Sequence, residues 1–142
     1  MIKSRKKSNS KLIAINTTLL FLFSMLWNAL VHLVILKEQN DSLRAIHRLD
    51  LNDKMWISIL VTISISLFFT ISYNRFIKNN TLKEALLHSI LFAAFISIVV
   101  DLNQYVLYNI PLSIILLWIM FGFGEFIVYG IISYKVNKTI NC

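Results

Sequence analysis

"PLSIILLWIMFGFGEFIVYGIISY", Pro111 to Tyr134, decides how this chain folds. It is longer than the roughly 20 helical residues that cross a hydrocarbon core of about 30 Å, yet it carries a carboxylic acid, Glu125, far from either end. A charge at mid-membrane costs roughly 3 kcal/mol on insertion scales, and each Leu, Ile, Phe or Val returns about 0.3 to 0.6. The run holds 13 residues of those four types, which recovers about 4 to 8 kcal/mol. It therefore inserts with Glu125 inside it, and that side chain needs a hydrogen-bond donor or a counter-charge on a facing helix.

Three further runs of the same kind precede it: residues 12–36, 55–73 and 85–107. A backbone in lipid must satisfy its own hydrogen bonds, so unbroken apolar runs of this length are helical. Transmembrane strands would be near ten residues long with alternating polarity, which these runs lack. The expected fold is all-α, an integral membrane protein of four transmembrane helices in a compact bundle. Its 57% hydrophobic content exceeds the roughly 45 to 50% of soluble domains. Three Gly and one Pro leave little material for long loops, so residues 1–142 form a single domain. Pro111 suits the first turn of the fourth helix, where its missing N–H costs nothing.

The opening "MIKSRKKSNSK" looks like the basic start of a signal peptide, but the apolar part behind it is too long and no small-residue cleavage site follows. The segment is expected to stay as an anchor. Lys and Arg number five before the first run, four in the first loop, three in the second, none in the third and two in the tail. With both termini inside, ten lie on the inner side and four outside, as the positive-inside rule prefers. Both termini are predicted to be cytoplasmic. The net charge of +7 is thereby read as topology, with the basic start meeting anionic headgroups. The abundance of Ile, Asn and Lys suits an AT-rich bacterial genome, and a bacterial inner membrane is the expected location.

The first loop, "KEQNDSLRAIHRLDLNDK", offers Leu43, Ile46 and Leu49 at three-residue spacing behind Asp41 or Ser42 as a cap. It is either a short helix on the outer surface or a solvated loop. Trp56 lies where an interfacial aromatic belongs, whereas Trp27 and Trp118 fall at packing depth.

The intramembrane polar residues define the candidate site. Depth at about 1.5 Å per residue places His88 within two turns of Glu125, with Tyr129 and Ser133 continuing the Glu125 face. Farther out, Asn28 and His32 share a face of the first helix, and Asp101 belongs with them if the third helix runs to Leu107. If it stops near Val100, Asp101 is interfacial. The expectation is an inner His88 and Glu125 pair and an outer cluster of Asn28, His32 and Asp101. Structural and functional readings compete for each residue, and the carboxyl of Glu125 is the one whose position favours function. Ser58, Thr62, Ser66 and Thr70 recur every fourth residue of the second helix and read as a packing seam; Ala93, Ser97, Gly122 and Gly124 supply surfaces for it.

No HExxH, GxSxG, phosphate-binding glycine loop or dinucleotide fingerprint occurs. The one cysteine, Cys142, excludes a disulfide framework and a cysteine zinc site. No cofactor, metal site or catalytic residue is expected. The expected partners are the lipid bilayer and either a second copy or a larger membrane protein, with no nucleic acid. The leading function is non-enzymatic, of accessory or interaction type. The alternatives are a small proton- or ion-coupled transporter or channel component using Glu125, and a membrane-embedded lipid-modifying enzyme.

Overall fold

The computed structural model describes residues 2–46, 50 and 52–141. Helix α1 runs Ile2–Leu30 and continues through a π turn at Val31–Ile35; α2 is Lys37–Ser42 and α3 Met55–Phe76. Helix α4, Leu82–Ile96, passes through a second π turn at Ser97–Leu102 into α5, Asn103–Leu107, and α6 is Leu112–Asn141. No strand occurs among the described residues. Among the described residues, four stretches are long and apolar enough to cross a membrane: Ser10–Ile35, Met55–Phe76, Leu82–Leu107 and Leu112–Ile140. Four antiparallel spans put both chain ends at one end of the molecule, called here the terminal end.

Local chemistry sets the helix boundaries. Between α3 and α4 the chain reverses at Asn80, whose φ of 46° is the left-handed conformation that asparagine tolerates. The Thr81 hydroxyl then accepts a 3.2 Å hydrogen bond from the Glu84 amide and caps α4. Before α6, the Pro111 carbonyl accepts from the Ile114 amide at 3.0 Å, so Pro111 stands just ahead of the helix. Asp101 lies inside the third span, within its π turn, because the helix does not stop at Val100.

The first loop departs from its expected form. Its helix, α2, ends at Ser42, so Asp41 and Ser42 close a helix that follows directly from α1. Leu43 is buried against Ile110, Ile114 and Ile115, which pins the loop over the far end of α6. Ile46 is exposed, and Leu49 lies outside the described residues.

Packing follows the order α3, α1, α6, α4 around the bundle. Ala85, Ser89, Ala93 and Ser97 form a buried line of small residues on the third span, as small-residue packing between membrane helices requires. Gly130 of α6 crosses it so closely that a Cβ there would lie 2.2 Å from Ser89 Oγ and 2.9 Å from the Ala85 carbonyl. A Cβ at Gly124 would instead meet the Trp27 ring at 3.3 Å, and one at Gly122 would enter open space. The seam between α3 and α4 is bridged by rings: Phe69 meets Phe92 at 5.2 Å and His88 at 5.0 Å, with Phe126 and Tyr129 behind it. These edge-to-face and offset arrangements are the ones aromatic quadrupoles favour. The other half of α3 is different. From Met55 to Val61 every residue is exposed, and burial begins at Ser66.

Candidate intramembrane polar site

Two helices carry polar groups at every fourth position or its multiples. On α1 these are Asn16, Ser24 and Asn28, then His32 in the π turn; on α6 they are Glu125, Tyr129, Ser133 and Asn137. Residues four apart share a helix face, and where α1 meets α6 those faces oppose each other.

Ser24 Oγ donates to the Glu125 carboxylate. Asn28 Nδ2 donates to Ser24 Oγ at 3.1 Å and to the Ser24 carbonyl at 2.9 Å, holding that hydroxyl in place. On the other side the Tyr129 hydroxyl interacts with Glu125 and shares a 3.0 Å hydrogen bond with Ser66 of α3. One chain of polar atoms thus links three helices, with Glu125 at the middle of its span. Its partners are hydroxyl and amide groups, not a cation. The ion pair recorded among the described residues, Arg44 with Asp41, lies on the surface.

A second layer lies toward the terminal end. Asn16, fully buried, donates through Nδ2 to Thr70 Oγ1 at 3.2 Å and to Ser133 Oγ at 2.9 Å. Ser133 Oγ also lies 3.2 Å from Asn16 Oδ1, and Asn137 Nδ2 donates to the Ser133 carbonyl at 2.9 Å. Closer still to the end, the Tyr73 hydroxyl donates to Asn80 Oδ1 at 2.9 Å, and Asn80 Nδ2 reaches the Tyr134 carbonyl at 3.4 Å. The turn is thereby tied to α6.

The structure does not bring His88 to Glu125. Its Nε2 lies 3.0 Å from Ser72 Oγ, and its ring stands against Phe69, Tyr73 and Phe92 on the other side of the aromatic cluster. Ser72 Oγ donates its proton to the Phe69 carbonyl at 2.9 Å. Nε2 must therefore be the donor, which leaves Nδ1 as a buried acceptor without a partner. The outer cluster also divides. Asn28 belongs to the Glu125 layer, His32 Nδ1 lies 3.2 Å from Asn40 Nδ2 and its ring stands edge-on to Trp118 at 6.4 Å, and Asp101 interacts with Ser97 of its own helix.

The seam on α3 divides as well. Ser66 and Thr70 are buried in the polar layers, while Ser58 is exposed and Thr62 returns its hydroxyl to the Ser58 carbonyl at 2.9 Å. Ser24, Asn16 and Asn137 complete the site without having been singled out as members, although their four-residue spacing with Asn28 and Glu125 was visible. Among the described residues no group of three His, Cys, Asp or Glu side chains comes together to hold a metal ion. No family model, curated protein or solved structure matches this chain.

Proposed function

We propose that the protein is a non-enzymatic accessory or interaction component of a bacterial inner membrane, with both termini cytoplasmic. It associates with a second copy or a larger membrane protein through the far half of α3. The supporting observation is the uneven burial of that helix. Ser66, Phe69, Thr70 and Tyr73 give the terminal half one face packed into the bundle, whereas Met55 to Val61 are exposed on every side, with Trp56 57% and Leu60 51% accessible. Lipid satisfies such a surface, but so does a neighbouring helix, which gains packing contacts that lipid makes less specifically. The polar groups are meanwhile largely spent on one another within the bundle, as a scaffold requires.

A photo-crosslinking side chain at position 60, activated in native membranes, is expected to form a protein adduct, while the same group at the lipid-exposed position 26 is expected not to. Absence of any protein adduct at position 60 and at positions 56, 57 and 61 overturns this reading. Tags at the two chain ends should both be reached only from the cytoplasmic side.

A second reading has one observation in its favour: Glu125 lies mid-span in a chain of hydroxyls from Ser24 to Tyr129 and Ser66, a setting suited to a proton- or ion-coupled step. It requires pH-dependent flux in reconstituted vesicles that Glu125→Gln abolishes. Equal flux for both proteins removes it.

A further inference from the structure

At the terminal end, between α3, α4 and their connecting turn, a 570 Å³ groove opens to the outside of the bundle. Its size falls within the roughly 300 to 1,000 Å³ of small-molecule sites. The walls are Phe76 and Leu87, then Leu91, Phe92 and Phe95, with Lys78 at the mouth. Phe76, Leu91 and Phe95 are 71%, 63% and 61% exposed, so the described side chains leave the groove uncovered.

Three features of this groove point the same way. From Glu84 to Phe95 the α4 wall extends about 16 Å along the helix axis at 1.5 Å per residue. That is the depth of one leaflet of a core about 30 Å thick. Polarity is graded along it, with charged and amide groups at the turn and mainly hydrocarbon and aromatic walls below, interrupted by the Ser72 and His88 pair. Lys78 is the cation and Glu84 the carboxylate of the groove lining, and the exposed Arg75 and Lys83 flank the same turn in the chain. Glu84 accepts from the Asn79 amide at 3.2 Å and from Asn79 Nδ2 at 2.9 Å, so it is already engaged in holding the turn.

We propose that this groove is a binding site for one anionic phospholipid of the surrounding leaflet. An acyl chain lies along Phe76, Leu87, Leu91 and Phe95, and the phosphate meets Lys78. Basic side chains at the membrane surface attract anionic lipid, and the groove adds the shape that makes one position distinct from the general lipid annulus. The site is on the opposite half of α3 from the interaction surface proposed above, so either can fail without the other.

The test is native mass spectrometry of the detergent-purified full chain titrated with dioleoylphosphatidylglycerol or dioleoylphosphatidylcholine, with thermal stability as a second measurement. Retention of one phosphatidylglycerol is expected, with phosphatidylcholine retained at least fivefold less. Lys78→Gln should weaken phosphatidylglycerol retention about fivefold to tenfold, and Leu91→Trp, which fills the groove from an exposed position, should abolish it. Replacing Lys3, Arg5, Lys6 and Lys7 together by Gln should leave it unchanged. Inorganic phosphate should neither stabilise the protein nor compete. The proposal is overturned by equal retention of both lipids, by loss of retention on neutralising the N-terminal basic residues alone, or by insensitivity to Leu91→Trp in a variant that still unfolds cooperatively. It is also overturned if Leu91→Trp changes the oligomeric state while lipid retention stays the same, because the groove would then be covered by a second copy.

Discussion

Glu125 is held by Ser24, with Asn28 behind it; Tyr129, one turn along α6, pairs with Ser66, and His88 belongs to a separate pair with Ser72. Groups in one hydrogen-bond network couple, and distant ones add. In thermal or denaturant unfolding in detergent, Glu125→Gln combined with Ser24→Ala is therefore expected to deviate from additivity by about 0.6 to 1.7 kcal/mol, the range for polar pairs in membrane bundles. Glu125→Gln combined with His88→Gln should be additive within about 0.5 kcal/mol. Gly130 gives an equally local contrast. Gly130→Ala places a methyl against Ser89 Oγ and the Ala85 carbonyl, and such overpacking costs about 1 to 3 kcal/mol. Gly122→Ala enters open space and should be neutral or stabilising by up to about 1 kcal/mol, from helix propensity alone.

At the scale of the element, α3 is two helices in energetic terms. Phe69 is fully buried among five rings, His88, Phe92, Phe126, Tyr73 and Tyr129. Leu60 is half exposed at the other end. Phe69→Ala should cost several kcal/mol, in the range of about 3 to 5 seen for buried Phe. Leu60→Ala should stay within about 0.5 kcal/mol for the isolated chain, and a larger cost in detergent would mean that Leu60 packs within its own bundle. All four spans were legible in the sequence because apolar length alone decides them. Their ends moved by several residues wherever a polar segment kept its helical bonding, as at Leu82 and beyond Tyr134. The partners of Glu125 were read less well. Depth ranks His88 near Glu125, but depth carries no rotational phase, and phase decides which face of α4 looks at α6. That face is the small-residue line Ala85, Ser89, Ala93 and Ser97, with His88 one residue off it. The four-residue periodicity of Asn16, Ser24 and Asn28 held the information that depth lacked.

Over the whole molecule, the polar layers join α1 and α3 to α6, and α4 is joined to α6 by close small-residue packing. Asn16 donates one bond to Thr70 of α3 and exchanges the rest with Ser133, and Ser24 has its acidic partner only on α6. The far end is closed in the same sense by Leu43, which rests on Ile110, Ile114 and Ile115. Membrane chains are made from the N-terminus, so α1 enters the bilayer before the groups that satisfy it have been synthesised. Until Leu112 onward is released, Asn16 and Ser24 face acyl chains with most of their bonding capacity idle. A ribosome-released fragment ending at Tyr108 should consequently be degraded in cells faster than the full chain, as pulse-chase labelling would reveal, and supplying residues 109–142 as a separate polypeptide should prolong its lifetime. Arrival of α6 is the event that hides these groups from the bilayer and from any protease surveying it.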